Sequence, residues 1–466
     1  MFDELRSHLA PFRQEHVLEF WAELAEHQRT RLAEQIRALD LPLVAGLAQQ
    51  HAETHNWAEL ARRAVAPPAI RLGARQGATS PEQAHRRGTE ALAAGHVGAI
   101  VVAGGQGTRL GFDRPKGMFS IGPISGASLF QILIEKIVAR SRAAGMRIPL
   151  YLMTSPATHE ETIAYLEAQE NFGLPREDLF VFCQGTMPAV DAATGRLLLS
   201  EKHELALSPD GHGGMLQAMV RSGALADIRA RGLRQLFYCQ VDNPLVEMCG
   251  PEFLGHHLLA RSELSTQVVA KRTSRDRVGN VVSIDGRLQI IEYSDLNPLD
   301  DAIVERRSAD GEPIFWAGNT AIHVFDAALL ERAAHSDAAL PFHVARKAVA
   351  HVDAAGQRTE PQQPNAVKFE RFIFDLLPVA EQAIVVEVDE QQAFAPIKNA
   401  PGEARDTPES VRDQMIALHA AWLRSAGCEV SAGAVVEISP LFAQGPEEVA
   451  AQVRPGLVVT RPQFFC

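Results

Sequence analysis

Cysteine is scarce in this sequence, and the cysteines that are present are not grouped. Five cysteines are scattered over 466 residues, and no two of them have the Cys-x-x-Cys spacing. The pattern therefore predicts neither a disulfide framework nor a zinc site. We interpret these residues as reduced thiols, which are typical of a cytoplasmic protein.

Long apolar runs and a surplus of positive charge are also missing. No run approaches the roughly 18 apolar residues of a membrane-spanning helix, and the charged N-terminus has no apolar core of a signal peptide. Proteins that bind duplex nucleic acid normally carry a basic surplus, whereas the formal net charge here is −12. We therefore expect neither a membrane nor a nucleic-acid partner, and the sequence indicates no particular oligomeric state.

The changes of pattern along the chain predict three regions. Residues 1–90 have helix-period apolar positions and then a connector over 64–87 that is rich in proline and glycine, so we predict an N-terminal helical region. Residues 91–400 form the predicted central domain. Residues 401–466 contain one amphipathic helix over 411–426 and then short apolar runs, which indicate a small C-terminal domain with β-structure.

The central region alternates short apolar runs with helical patterns, which predicts an α/β fold with a mostly parallel sheet. Two helix starts, at Ser128-x-x-Gln131 and Thr158-x-x-Glu161, have the spacing of a capping box, and Gly145 stands where the first of these helices should end. Strands are predicted over 99–103, 149–154, 179–183, 235–241 and 266–271, helices over 128–144, 158–170 and 214–231, and a hairpin over 280–292 that turns at Asp285-Gly286.

A glycine-rich loop follows the first of these strands. Gly104, Gly105 and Gly107 precede Thr108 and Arg109. Glycines let backbone N–H groups approach phosphate oxygens without interference from a Cβ atom, which creates a concave anion site. We therefore predict a phosphate-binding loop, against the alternative of a tight turn between two core elements.

Two well-known phosphate loops do not fit this spacing. A Walker loop needs a lysine directly after its last glycine, and none stands there. The dinucleotide fingerprint Gly-x-Gly-x-x-Gly fails because Leu110 occupies the last glycine position and Gly111 comes one residue late. What remains is Gly-Gly-x-Gly-Thr-Arg-Leu, with Lys116 in a Pro-Lys-Gly segment shortly after Arg109. This arrangement resembles the phosphate loop of sugar-nucleotide pyrophosphorylases.

Further motifs extend the resemblance from about residue 100 to residue 400. The chain resembles the eukaryotic-type UDP-N-acetylhexosamine pyrophosphorylase family, within the wider group of UDP-glucose and UDP-sugar pyrophosphorylases. The matching segments are 152–155, 184–185, 208–214, 241–243, 292–294, 317–319, 368–370, 374–375 and 396–399. The resemblance implies the Rossmann-like sheet of nucleotide-diphospho-sugar transferases. It also implies an enzyme that joins UTP to a sugar 1-phosphate and releases pyrophosphate.

This reaction needs stabilisation of charge more than acid–base chemistry. A sugar 1-phosphate is largely ionised at neutral pH, so its oxygen can attack the α-phosphorus without a general base. The resemblance implies that Arg109 and Lys116 hold the triphosphate and the leaving pyrophosphate, while Lys398 reaches the sugar phosphate. Asp242 follows a predicted central strand, at the sheet edge where α/β folds bind ligands. Since Mg²⁺ prefers few carboxylates plus phosphate oxygens, we predict Mg²⁺ at Asp242, against the alternative of a helix-capping aspartate.

Neutral donors and acceptors are expected for recognition of the base, and hydrogen-bonding side chains are implied for the sugar. By resemblance, Gln184 corresponds to the glutamine that reads uracil. The implied nucleotide-binding set is Gly104, Gly105, Gly107, Thr108, Gln184 and Gly211. Glu292 and Asn319 match family positions that bind sugar hydroxyls, and Gly279 lies at the preceding turn. The resemblance also implies that His212 lies near the sugar. N-acetylhexosamine enzymes usually have asparagine at this position, and Gly-His-Gly is more typical of the UDP-glucose branch.

Two sugars and two other kinds of protein are weighed against these motifs. N-acetylglucosamine 1-phosphate is the first expectation, because the Glu-Tyr-Ser and Ala-Gly-Asn segments favour that branch, and glucose 1-phosphate or a broad sugar range is the alternative. Guanylyl- and thymidylyltransferases share the loop but generally lack the later motifs. A non-catalytic UDP-sugar sensor would have no need of Arg109, Lys116, Asp242 and Lys398 together.

Overall fold

The computed structural model describes residues 1–50, 56–74, 80–336 and 340–466. The helices are α1 (Phe2–Leu9), α2 (Glu26–Ala38), α3 (Leu41–Gln50), α4 (Trp57–Arg63), α5 (Pro81–Ala93), α6 (Leu129–Ala144), α7 (His159–Ala168), α8 (Met215–Ser222), α9 (Ala224–Ala230), α10 (Pro251–Leu259), α11 (Tyr293–Leu296), α12 (Asp301–Val304), α13 (Ala327–Ala334), α14 (Glu390–Ala393), α15 (Pro408–Ser425) and α16 (Pro446–Gln452). The strands are β1 (Ala69–Ile70), β2 (Val97–Val102), β3 (Leu150–Thr154), β4 (Leu179–Cys183), β5 (Thr186–Pro188), β6 (Val190–Asp191), β7 (Leu199–Glu201), β8 (Glu204–Leu205), β9 (Leu207–Pro209), β10 (Gln235–Gln240), β11 (Leu264–Ala270), β12 (Asn280–Ile284), β13 (Arg287–Ile291), β14 (Ala317–Asp326), β15 (Phe342–Lys347), β16 (His351–Val352), β17 (Arg358–Thr359), β18 (Ala366–Arg371), β19 (Ala383–Glu387), β20 (Glu429–Val430), β21 (Val436–Ile438), β22 (Val458–Val459) and β23 (Gln463–Phe465).

The main sheet is largely parallel, which confirms the predicted mixed α/β fold. Its strand order is β1-β19-β11-β14-β10-β2-β3-β4. β14 runs antiparallel to both of its neighbours, and every other adjacent pair along this path is parallel. The predicted hairpin, β12–β13, joins the sheet where β12 pairs with β14. Its turn has positive φ at Asp285 (51°) and at Gly286 (79°), as a two-residue hairpin loop requires.

The chain folds as two compact units. The smaller unit comprises the described residues of 1–56, 184–217 and 337–373, and the larger unit comprises those of 57–183, 218–336 and 374–466. In the smaller unit, α1, α2 and α3 share one apolar core with strands β6 to β8 and β18. The boundaries that we predict at 90 and 400 stay predictions.

Local signals explain several elements of the larger unit. The Ser128 hydroxyl accepts a hydrogen bond from Gln131 N at the start of α6, and Gly145, with φ 63°, ends that helix as predicted. The capping box predicted at Thr158 is wrong, because its hydroxyl accepts from Ser155 N (3.1 Å) and does not cap α7. The helix predicted over 214–231 is two helices, α8 and α9, which are separated at Gly223 (φ 83°).

The predicted connector over 64–87 is only partly irregular. Residues 69–70 form β1, which pairs in parallel with β19, and α5 begins at Pro81. Residues 75–79 of this prediction lie outside the described residues. α5 packs against α10 at backbone distance, since a Cβ atom placed on Gly255 would lie 1.7 Å from Ala84 O.

The end of the chain forms a small core of its own. β20 pairs in parallel with β22, and β21 pairs in parallel with β23. Apolar side chains of α15, α16 and these strands pack together.

No helix in the described part of the chain is long and apolar enough to cross a membrane.

Candidate active site

The glycine-rich loop lies at the carboxyl end of β2, which pairs in parallel with β10 on one side and β3 on the other. Backbone hydrogen bonds fold the loop back on itself, since Lys116 N donates to Gly105 O (3.0 Å) and Gly107 N donates to Arg114 O (2.9 Å). The buried Ser155 hydroxyl donates to Gly104 O (2.7 Å). These bonds fix Lys116 beside the glycines.

The glycines of the loop differ in whether the fold of the loop requires them. A Cβ atom on Gly105 would meet no atom within 4 Å, so the space above this residue is open to a ligand. A Cβ atom on Gly107 would lie 2.7 Å from Phe112 O, so the fold of the loop itself requires glycine there. Thr108 and Arg109 lie in a short 3₁₀ turn and are exposed. The Arg109 side chain makes no hydrogen bond or ion pair with any residue that the structure describes, which leaves its guanidinium available to an anion.

Asp242 and Lys116 form an ion pair. Asp242 comes two residues after β10, at the same sheet edge as the glycine loop. Lys116 Nζ lies 3.4 Å from Asp242 Oδ2, and the two side chains are only 17% and 13% exposed. Two residues that are distant in sequence thus meet because β2 and β10 are parallel neighbours. The pair places an ammonium and a carboxylate side by side at the edge where the glycine loop lies.

Lys398 is tied to this edge through its neighbour in the chain. Ile397 N donates to Asp242 O (2.9 Å), and Lys398 N donates to Asp406 O (2.8 Å). The Lys398 ammonium lies 5.7 Å from the centre of the Phe394 ring. Asp406 is a non-glycine residue with φ 57°, so the backbone is held in a sparsely populated conformation beside Lys398.

Three residues predicted to bind the sugar lie close together in the larger unit. Asn319 N donates to Gly279 O (2.8 Å), and a Cβ atom on Gly279 would lie 3.0 Å from Glu292 Oε1. The Asn319 side-chain oxygen accepts from Thr266 Oγ1 (3.3 Å) and Ala321 N (3.0 Å). Since this oxygen is already engaged, the Asn319 side chain offers a ligand its NH₂ group.

Gln184, Gly211 and His212 belong to the smaller unit. Gln184 is 8% exposed and directly follows the last residue of β4. Gly211 has φ 82°, and a Cβ atom there would lie 2.4 Å from Arg371 O, so no other residue fits. His212 begins the 3₁₀ turn that follows Gly211.

The His212 ring is held in one orientation and one protonation state. It stacks on Phe372 with 5.3 Å between ring centres, and its Nδ1 accepts a hydrogen bond from Ile373 N (3.2 Å). Burial, with a smaller contribution from His343, lowers the pKa of His212 to about 4. At neutral pH the ring is therefore uncharged and carries its proton on Nε2.

The structure also identifies residues to which the sequence assigned no role. Ser155 supports the glycine loop, and Asn243 bonds to the chain that leads to Lys398. Both residues fall inside segments that resemble family motifs, which is the signal that could have identified them. Lys271 lies near Asn319, one of the residues predicted to bind the sugar. Its ammonium donates to Ser274 O (2.7 Å) and to the Asn280 side chain. Burial lowers the pKa of Lys271 to about 8.

A family model decides the relationship of this chain to known proteins. Residues 50–414 match the model described as UTP–glucose-1-phosphate uridylyltransferase. The chain belongs to that family. The resemblance drawn from the sequence motifs is therefore confirmed.

Individual members of this family match most of the chain. A UDP-N-acetylhexosamine pyrophosphorylase-like protein 1 from Xenopus tropicalis is 34% identical over 89% of this chain and 83% of its own length. The UDP-N-acetylglucosamine pyrophosphorylase of Saccharomyces cerevisiae is 35% identical over 78% of this chain and 77% of its own length. A crystal structure of the Trypanosoma brucei UDP-N-acetylglucosamine pyrophosphorylase has a TM-score of 0.82 at 24% identity, and the match covers 99% of this chain and 98% of that one. This last match shows a shared fold.

Proposed function

We propose that this protein is a uridylyltransferase that joins UTP to N-acetylglucosamine 1-phosphate and releases pyrophosphate. The observation that supports this most is the Lys116–Asp242 pair beside the glycine loop, at the carboxyl ends of two parallel strands. Membership of the uridylyltransferase family and the names of the relatives support the same reaction. For the fold, we propose that the main sheet is of the nucleotide-diphospho-sugar transferase type. We also propose that an N-terminal helical region precedes it and that a small C-terminal domain follows it.

The proposed reaction is an in-line displacement at the α-phosphorus of UTP. A phosphate oxygen of the sugar 1-phosphate forms the new P–O bond, the bond to the β-phosphate breaks, and its electron pair leaves with pyrophosphate. Arg109 and Lys116 hold the triphosphate and stabilise the charge that develops on the leaving group. Lys398 holds the attacking phosphate, which brings the two anions together.

The residues around Asp242 fit Mg²⁺ as the metal. Among the described residues, no group of three or more histidine, cysteine, aspartate or glutamate side chains could enclose an ion. Mg²⁺ does not need such a group, since it commonly binds one or two carboxylates and completes its shell with water and phosphate oxygens. When bound, Mg²⁺ supplies positive charge to the phosphate oxygens, and Asp242 would hold it there.

Specificity is proposed to come from hydrogen-bonding groups that contact the base and the sugar. Gln184 and the backbone at Gly211 recognise uracil, while Glu292 and Asn319 bind the hydroxyls of the sugar. His212 favours a second candidate substrate, glucose 1-phosphate, because this histidine replaces the asparagine of N-acetylhexosamine enzymes. A cytoplasmic location stays a prediction.

One assay tests the reaction and its nucleotide. Purified protein is supplied with Mg²⁺, each nucleoside triphosphate in turn, and either N-acetylglucosamine 1-phosphate or glucose 1-phosphate, and pyrophosphate release is followed. We expect release with UTP. Pyrophosphate release only with GTP or only with dTTP would contradict uridylyl transfer. Binding of UTP with no pyrophosphate release, whichever sugar phosphate is supplied, would indicate a sensor.

A matched pair of variants tests the role of Asp242. Asp242→Asn should lower kcat by at least about 100-fold, because the carboxylate for the metal is lost. Asp326→Asn is the control, since Asp326 caps α13 through Ala328 N and tests the effect of removing an ordinary capping carboxylate. Equal activity of the two variants would remove Asp242 from the mechanism.

A further inference from the structure

The residue after Asp242 makes an unusual set of hydrogen bonds. Asn243 is 3% exposed. Its Nδ2 donates to Ala393 O (2.8 Å), and its Oδ1 accepts from Ala395 N (3.0 Å) and from Leu245 N (3.2 Å). Two of these three bonds reach a segment some 150 residues away in the chain.

These bonds continue a regular pattern that leads to Lys398. Residues 393 and 395 bond to the Asn243 side chain, and residue 397 bonds to the backbone of Asp242 (Ile397 N to Asp242 O, 2.9 Å). The chain that leaves α14 at Ala393 therefore presents backbone groups of every second residue to residues 242 and 243. Lys398 is the next residue, so its backbone position relative to Asp242 depends on this contact.

A side chain of α6 also holds the chain that follows Asn243. The ammonium of Lys136 donates to Pro244 O (2.6 Å) and to Val246 O (2.9 Å). The chain after Asp242 is thus fixed on one side by Lys136 and bonded on the other to the segment before Lys398. Asn243 is the side chain that joins the two segments.

We propose that Asn243 is a positioning residue, whose side-chain amide holds the segment carrying Lys398 in register with Asp242. This inference rests on the proposed function, because it assigns importance to Asp242 and Lys398. The chemistry explains the residue type. The position needs one group that accepts from backbone N–H and another that donates to a backbone carbonyl, and an amide has both. Aspartate has the same shape but no donor when ionised, and serine has a single hydroxyl.

The test compares Asn243→Asp, Asn243→Ala and Asn243→Ser with the wild-type protein. Asn243→Asp places a carboxylate oxygen against Ala393 O, and Asn243→Ala removes the bonds without adding charge. Since a shift of about 1 Å in a catalytic group costs roughly 100-fold in rate, we expect kcat to fall by about 10- to 100-fold in all three variants. KM for UTP, and UTP affinity measured by calorimetry without turnover, should change by less than about threefold, because the proposed UTP-binding groups stay in place.

A matched control separates positioning from general stability. Asn365 of the smaller unit also uses its amide to bond to backbone, since its Oδ1 accepts from Val349 N (2.8 Å) and its Nδ2 donates to Val349 O (3.1 Å). Asn365→Ala should lower the melting temperature without lowering kcat. A fall in kcat confined to the Asn243 variants, at temperatures where all of the proteins are folded, supports the proposal.

Three results would overturn the inference, and they are distinguishable from one another. Wild-type turnover together with normal kcat in folded Asn243 variants would refute the positioning role alone. Failure of all three variants to fold would make Asn243 a requirement of the fold and would also refute a specific role in positioning. Absence of pyrophosphate release from the wild-type protein with every sugar phosphate would refute the proposed function, and the inference with it.

Discussion

The C-terminal segment is anchored to the loop that leads from Lys116 into α6, and Glu437 is the residue that makes the anchor. This side chain lies in β21 and is 4% exposed. Its carboxylate accepts three hydrogen bonds, from Ile124 N (2.6 Å), Ser125 N (2.7 Å) and Ser125 Oγ (2.6 Å). Replacing Glu437 should therefore destabilise the larger unit.

The size of the effect follows from the number and kind of these bonds. A hydrogen bond to a charged group contributes about 1.5–3 kcal/mol. Ile124 and Ser125 are exposed, so their donors regain water when the carboxylate is removed. The lower end of the range then applies, and Glu437→Ala should cost about 3–5 kcal/mol. Glu437→Gln keeps the shape: its amide oxygen can accept from Ile124 N and Ser125 N, and its NH₂ group can donate to the Ser125 hydroxyl. This variant should therefore lose mainly the contribution of charge, about 1–2 kcal/mol.

Urea unfolding followed by circular dichroism measures these differences, with the slope of the transition checked for each variant because the chain has two compact units. Glu429→Ala is the control, since Glu429 lies on β20, the strand that precedes β21 in the chain, and is exposed. An unfolding free energy of Glu437→Ala within about 1 kcal/mol of the Glu429→Ala value would refute the reasoning.

Three further predictions concern pH, sugar choice and helix packing. Burial lowers the pKa of His212 to about 4 and those of His257 and His419 to about 3. Below pH 6.5 these histidines therefore bind protons in the unfolded chain but not in the folded chain. Urea titrations should show the free energy of unfolding falling by about 1 kcal/mol per histidine between pH 6.5 and 5.5; a flat profile would contradict this. His212→Asn should raise the kcat/KM ratio of N-acetylglucosamine 1-phosphate over glucose 1-phosphate, because the smaller amide leaves room for an acetamido group; an unchanged ratio would remove His212 from sugar selection. Gly255→Ala should lower stability by at least about 1–3 kcal/mol in thermal unfolding, because the new methyl group would overlap Ala84 O and force α5 from α10; an unchanged melting temperature would contradict that packing.

Local chemistry accounts for the parts of the fold that the sequence predicts. Ser128 and Gly145 mark the two ends of α6, since one hydroxyl and one left-handed glycine satisfy the backbone groups there. The same spacing failed at Thr158, because its hydroxyl bonds to Ser155 N. β1 was missed because its two residues acquire a partner only when the distant strand β19 lies beside them.

The candidate site also has parts that the sequence predicts and parts that it does not. The glycine loop, Lys116 and Asp242 are each recognisable from spacing and from position after a strand. Their meeting depends on β10 lying next to β2, which is a property of the sheet order and not of either segment. Asn243 and Glu437 act through bonds to residues more than 100 positions away. The motif at 241–243 marks Asn243 but not its bonding partners, and no local pattern predicts Glu437. The smaller unit escapes prediction for the same reason, because its three chain segments come together only in the folded core.

The ion pair between Lys116 and Asp242 has a consequence for how ligands arrive. On the proposed roles, a nucleotide without metal draws Lys116 away and leaves the Asp242 charge unmatched, and a metal ion without nucleotide does the reverse. An unmatched charge is costly at side chains that are only 17% and 13% exposed. A nucleotide that already carries its metal replaces both halves of the pair in one event. If these roles hold, nucleotide and metal should each tighten the binding of the other, so that the affinity for UTP rises with Mg²⁺ and the affinity for Mg²⁺ rises with UTP.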